Sequence, residues 1–246
     1  MSDSTSDLGK WWVVGASEGL GRAVAEKLHA AGAELVLSAR SEDRLRDLAD
    51  TLDGAEVITV DVTDDTSVQA AAETAGSVDG LLYCVGAYEP MKATEWKTDA
   101  VLTMAETNFL GSIRVLGAVL PGFVARDAGR VVLVGSLSGF RGLPGAIGYG
   151  ASKAGLMHLA ENLLADLHGT GVTVQRVNPG FIDTRLTRKN DFKMPQLMQP
   201  EAAAEKVMEA IRSGRFSTSF PSPFSWLFTA GRYLPLSWFQ RVFRRG

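Results

Sequence analysis

Cysteine is nearly absent: Cys84 is the only one in 246 residues. A single thiol excludes an intrachain disulfide and any cysteine-rich metal site. Histidine is almost as scarce, and His29, His158 and His168 are scattered without zinc-ligand spacing, so no metal is expected. No run of eighteen apolar residues exists, and no membrane-spanning helix is expected. Met1 to Lys10 lacks the basic start and apolar stretch of a signal peptide. The expectation is a flexible N-terminus over residues 1–10 and a soluble, cytoplasmic protein. A formal charge of −3 argues against a general nucleic-acid binder. Acid is missing from the end of the chain: none follows Glu209, so the last 37 residues carry +6 and the rest −9.

The 46% apolar content is enough to bury the core of one α/β domain. Strand patterns at Trp11–Gly15, Glu34–Ala39, Glu56–Val60, Gly80–Val85, Arg130–Gly135 and Val172–Val177 alternate with helical ones. The helices are predicted at Leu20–Ala31, Ser41–Leu52, Thr66–Ala75, Thr98–Leu120, Tyr149–His168 and Pro200–Ile211. Pro121 is expected to stop the fourth of these, and Asn178-Pro179-Gly180 to break the sixth strand. Phe216–Phe220 is a candidate seventh strand. Such alternation demands a parallel sheet with helices on both faces, in a single domain.

Gly15-x-x-x-Gly19-x-Gly21 falls between the first strand and the first helix. There, free backbone N–H groups and the positive end of a helix dipole can hold phosphate, provided side chains are missing. The bland alternative is a purely structural turn. The second strand ends Ser38-Ala39-Arg40, with no acid before Glu42. An acid there would bind a ribose 2′-hydroxyl and repel a 2′-phosphate, whereas Arg40 can face that phosphate. Ser38 or Ser41 would add a hydroxyl. NADP(H) is therefore favoured over NAD(H), the alternative being that Arg40 is a solvated helix-entry residue. Asp61, at the tip of the third strand, is placed to contact adenine or to cap the following turn.

Tyr149 and Lys153 stand at i and i+4, so phenol and ammonium share one helix face. A fixed cation nearby is expected to favour the phenolate and make the oxygen a usable proton donor and acceptor. Ser136 precedes the tyrosine by thirteen residues.

These motifs, in this order, resemble the short-chain dehydrogenase/reductase family over about residues 10 to 220. The resemblance implies a Rossmann-type, doubly wound sheet and hydride transfer between a nicotinamide and a carbonyl or alcohol. It implies Tyr149 as general acid in reduction and base in oxidation. Lys153 would hold the nicotinamide ribose and lower the phenol's pKa, and Ser136, favoured over Ser138, would hold the substrate oxygen. Asn108 in Thr107-Asn108-Phe109 matches the asparagine that supports a water path, though physics alone makes a backbone-satisfying role nearly as good. Cofactor contacts are implied at Gly15, Ser17, Gly19, Leu20, Gly21, Arg40, Asp61, Val62, Gly86, Tyr149, Lys153, Pro179, Gly180, Ile182 and Thr184. The long helices, 98–120 and 149–168, imply a homodimer or homotetramer.

Two departures stand out. Val14 replaces the usual threonine, and Tyr83-Cys84-Val85-Gly86 replaces Asn-Asn-Ala-Gly. Apolar packing or backbone bonds are expected to tie the central strands instead.

Beside Ser136, the residues Leu137, Phe140, Leu143, Pro144 and Ile147 suggest a cleft for an apolar small-molecule substrate. The extension 221–246 mixes aromatics with arginines, and Pro221, Pro223 and Pro235 forbid one continuous helix. Packing on its own domain or a partner subunit is favoured for it. A lid over the cleft and peripheral membrane contact are the alternatives, and nucleic acid is least expected. Rival readings of the whole are a 3-oxoacyl-thioester reductase and a non-catalytic dinucleotide-binding sensor or scaffold.

Overall fold

Alternation along a strand sends Trp11 and Val13 to one side of the sheet and Trp12 and Val14 to the other, all fully buried. In this computed structural model, which describes residues 8–243, seven strands behave this way. They are β1 (Lys10–Val14), β2 (Glu34–Ala39), β3 (Glu56–Thr59), β4 (Gly80–Tyr83), β5 (Gly129–Val134), β6 (Val172–Pro179) and β7 (Ser217–Phe220). Helices α1 (Gly19–Ala30), α2 (Glu42–Ala49), α3 (Asp65–Ala75), α4 (Thr98–Ala105), α5 (Gly111–Ala125), α6 (Ile147–Asp166) and α7 (Pro200–Ser213) connect them. Two short helices, α8 (Phe224–Thr229) and α9 (Leu236–Phe243), follow β7.

The strands pair in parallel in the order β3-β2-β1-β4-β5-β6-β7. One face is covered by α1, α2 and α7 through Val24, Leu28, Leu45, Leu48, Val207 and Ile211. The other is covered by α3, α5 and α6 through Val68, Val115, Val119, Phe123, Leu156 and Ala160. The order reverses between β1 and β4, and the crevice beyond their carboxyl ends is where ligands sit in such sheets.

Apolar packing or backbone bonds are the expected ties between the central strands, and a side-chain bond joins them as well. Trp12 Nε1 donates to Ser38 Oγ at 2.8 Å, linking β1 to β2. The Cys84 amide donates to the Val14 carbonyl at 2.8 Å, and buried Tyr83 donates its hydroxyl to the Thr107 carbonyl at 2.6 Å.

Three expectations need correction. The fourth predicted helix does not stop at Pro121 but continues to Ala125. Pro121 and Gly117 both face solvent, so the carbonyl that proline leaves unpaired meets water, while buried Phe123 holds the last turn to the core. By length and composition Thr98–Ala125 is apolar enough to cross a membrane. Here Met104, Val115, Val119 and Phe123 bury its inner face in the protein, as in a core helix. Second, β6 runs on through Asn178 and Pro179, which pair with Ser219 and Phe220; the proline's missing donor falls at the strand's last position. Third, of the expected flexible segment 1–10, residues 1–7 lie outside the described residues, and Lys10 already belongs to β1. Its amide donates to Asp79 Oδ2 at 2.8 Å, and Leu8 packs against the core.

Candidate active site

Between β1 and α1 the chain turns back on β2: the Gly15 and Ala16 amides both donate to the Ser38 carbonyl, at 2.7 and 3.1 Å. Gly15 (φ +98) and Gly19 (φ +57) occupy backbone conformations that a side chain would strain. A Cβ on Gly19 would also come within 2.9 Å of Thr184 Cγ2 across the crevice. Glu18, at the N-cap of α1, makes no side-chain cap. It accepts instead from Arg44 at 2.8 Å and Arg185 at 2.6 Å, bridging two sides of the cleft.

All the positions expected to contact a cofactor line this one cleft: Gly15, Ser17, Gly19, Leu20, Gly21, Arg40, Asp61, Val62, Gly86, Tyr149, Lys153, Pro179, Gly180, Ile182 and Thr184. Ser41, Arg44, Thr63, Arg185, Leu186 and Thr187 join them without having been singled out as cofactor contacts, except Ser41 as one of two options. Ser38 is fully buried and committed to Trp12, so only Ser41 is left to add a hydroxyl beside Arg40. Arg44 stands four residues past Arg40, a spacing visible in the sequence. Asp61 caps the next turn, accepting from the Thr63 amide at 2.9 Å and hydroxyl at 2.8 Å. The Thr63 amide is the main cause of its lowered pKa, and Arg40 lowers it further.

At one end of the cleft Tyr149 and Lys153 lie on the first turns of α6, and Ser136, two residues past β5, hydrogen-bonds with the Tyr149 phenol. Ser136 Oγ accepts from the Ser138 amide and hydroxyl at 3.2 and 3.0 Å, so Ser138 orients Ser136. Burial pushes the Tyr149 phenol up to about 12, opposed by a hydrogen bond with the Ser136 hydroxyl. Burial likewise pulls Lys153 down to about 8. Desolvation thus works against the expected depression of the phenol by the neighbouring cation and favours the neutral form of both groups. Lys153 Nζ donates to the strand-end carbonyls of Val134 at 2.8 Å and Val85 at 3.3 Å.

Asn108 lies in a five-residue π-helical stretch, Glu106–Leu110, between α4 and α5. Such stretches recur at functional sites because they re-aim a side chain. Fully buried, it accepts from the Ala87 amide at 2.6 Å and donates to the Ala87 carbonyl and Ser152 Oγ, both at 2.9 Å. It fastens the loop after β4 to α6. Tyr88 in that loop stands edge-on to Tyr149, ring centres 5.1 Å apart. No motif pointed to Tyr88.

The cleft expected beside Ser136 is partly closed. Leu137, Phe140 and Leu143 pack under Phe228 and Phe239 of α8 and α9, so the extension folds onto its own domain. Pro221 and Pro223 precede α8 and Pro235 lies between α8 and α9, so the extension is not one continuous helix, as expected. Apolar surface near the crevice comes instead from Tyr88, Leu186 and Phe181, the last in ring contact with Phe192 and Phe224.

A family model described as short chain dehydrogenase matches residues 11–194. The chain belongs to that family. An uncharacterized oxidoreductase of Myxococcus xanthus is 36% identical over 241 residues, covering 95% of each chain. A short-chain dehydrogenase from Sphingobium yanoikuyae in complex with NADPH superposes with a TM-score of 0.83 at 25% identity, over 91% of this chain and 92% of that one. A variant of actinorhodin polyketide ketoreductase with NADPH gives 0.81 at 27% identity, over 89% and 98%. The protein is thus an oxidoreductase of this family, with the family's Rossmann-type fold. The cleft fits its nicotinamide dinucleotide: a side chain on Gly19 or Gly86 would protrude toward Thr184 or Leu186 and fill the groove.

Proposed function

We propose that the protein interconverts a carbonyl and a secondary alcohol, using NADP(H) in preference to NAD(H), on an apolar substrate. The observation that carries this reading is the meeting of Ser136, Tyr149 and Lys153 at the end of a glycine-lined cleft. Arg40, Ser41 and Arg44 support the preference for a 2′-phosphate, Gly19 leaves room for the pyrophosphate, and Gly21 lets α1 close on the Gly15 carbonyl. Bound nicotinamide supplies or accepts the hydride. Ser136 holds the substrate oxygen, and Tyr149 gives that oxygen a proton in reduction and takes it back in oxidation. Lys153, its carbonyl partners at the cleft floor, holds the ribose. Asn108 keeps the Ala87 backbone in place beside it, where proton exchange with solvent enters.

The NADP(H)-bound structures of similar proteins support the cofactor. Likeness to a putative beta-ketoacyl-ACP reductase supports a 3-oxoacyl thioester as the second substrate class. Exposed Leu102, Ile113, Val124 and Leu164 on α4, α5 and α6 support homo-oligomerisation through those helices. A single thiol, half-buried and pushed up to about 11 by desolvation, suits a protein of the cytoplasm.

Turnover of NADPH and NADH against a panel of ketones, aldehydes and acyl thioesters tests the reading. Wild-type protein should oxidise NADPH, and Tyr149→Phe should lose about 10²- to 10⁴-fold in kcat while still binding it. A protein that binds NADPH and never oxidises it would be the sensor instead.

A further inference from the structure

The aromatic residues of the extension fall into two sets. Phe228 and Phe239 are buried, and with Phe224 and Phe243 they form a chain of ring contacts at 5.1–5.8 Å. The second set faces solvent: Trp226 is 64%, Tyr233 75% and Trp238 63% exposed, and Leu234, Leu236 and Val242 are exposed with them. On α9, Phe239 and Phe243 make the inward stripe, while Trp238 and Val242, also four apart, make a neighbouring outward one. Arg241, three residues from Trp238, lies on that outer side. The turn between α8 and α9 is held by Arg141, which donates to the carbonyls of Arg232 and, at 2.8 Å, Leu234. Arg232 covers the Tyr233 ring at 4.7 Å.

We infer that this face docks on an anionic lipid bilayer. The extension's charge has one sign: in sequence, Pro221 to Gly246 holds Arg232, Arg241, Arg244 and Arg245 and no acid. Tryptophan and tyrosine among aliphatics, rimmed by arginine, suit the headgroup boundary, where an amphipathic ring has one end apolar and one end wet. Anionic headgroups answer the arginines at close range. A second copy of the chain answers them badly, because a two-fold contact would set the same arginines against each other. The extension adjoins the cleft, since Phe224 touches Phe181 and would lie 3.4 Å from a Cβ on Gly180.

The test is sedimentation of full-length protein with vesicles of phosphatidylcholine alone or with one-third phosphatidylglycerol, alongside light scattering of the lipid-free protein. The protein should pellet with the anionic vesicles and release in high salt. Trp226→Ser/Trp238→Ser should weaken binding at least tenfold, with circular dichroism and thermal melting unchanged. Each of Arg232→Ser and Arg241→Ser should weaken it roughly fivefold. No binding to anionic vesicles would overturn the inference. So would a lipid-free oligomer that Trp226→Ser/Trp238→Ser dissociates, which would make the patch a self-contact.

Discussion

The Lys153 ammonium lies 6.0 Å from the centre of the Tyr149 ring, one helical turn away, and points its hydrogen bonds at the carbonyls of Val134 and Val85. Burial sets the protonation of both: the phenol moves up to about 12 and the ammonium down to about 8. Unfolded, the lysine would titrate near 10.5. Below pH 8 the lysine is charged in both states, and the folded state bears the full cost of burying that charge. Between pH 8 and 10 the unfolded chain binds more protons, so stability rises with pH. Above pH 10 unfolded tyrosine loses its proton while Tyr149 keeps it, and that contribution falls. Urea unfolding at steps from pH 7 to 10 should show the rise, at most on the order of 3 kcal/mol. Lys153→Met should be flat by comparison. Parallel curves for the two proteins would mean that Lys153 is not desolvated.

Tyr88 is the second group to touch Tyr149. Its hydroxyl donates to Asn190 Oδ1 at 2.6 Å, and Lys189 Nζ reaches back to the Tyr88 carbonyl at 2.8 Å and Glu89 Oε2 at 3.0 Å. Two loops thus grip each other beside the phenol. Tyr88→Phe removes one neutral hydrogen bond and should raise KM for the carbonyl about two- to tenfold, with kcat within about threefold. Tyr88→Ala removes the edge contact as well and should lower kcat. Steady-state kinetics at saturating NADPH separate the two. A Tyr88→Ala enzyme indistinguishable from wild type would show that the ring contact does not position Tyr149.

Phe239 anchors the extension, its ring resting on Gly231, where a Cβ would approach within 2.8 Å. Truncating a buried phenylalanine costs about 3–5 kcal/mol if the surroundings must stay folded. Two short helices can instead undock locally, which limits the loss to their own docking energy. Phe239→Ala should therefore speed tryptic cutting after Arg232 at least tenfold and shift the urea midpoint of the domain little. Unchanged cutting would mean that α9 holds on without its anchor.

What could be read from the sequence was local. Gly15, Gly19 and Gly21 declare a turn that admits no side chains, and Tyr149 with Lys153 declares a helix face, because neighbours in the chain remain neighbours in space. Tyr88 and Asn190 meet only after the loops beyond β4 and β6 converge, and no spacing encodes that. The aromatics of the extension look alike as letters. Which of them packs was decided by how α8 and α9 settle on Leu137. Pro121 misled for a related reason: whether it ends a helix depends on whether the freed carbonyl meets water.

Arg40 and Arg44 carry the last prediction. Both line the cleft, Arg40 just past β2 and Arg44 on α2, and Arg44 is already paired with Glu18. A charge-assisted hydrogen bond contributes about 1.5–3 kcal/mol, so Arg40→Ser and Arg44→Ser should each weaken NADPH binding roughly 10- to 100-fold. NADH, which lacks the 2′-phosphate, should bind within about threefold of wild type to either variant. Dissociation constants from fluorescence titration of the two cofactors decide the matter. Equal losses for NADPH and NADH would assign the arginines to the pyrophosphate, and no loss for either would leave Arg40 as a solvated residue at the entry of α2.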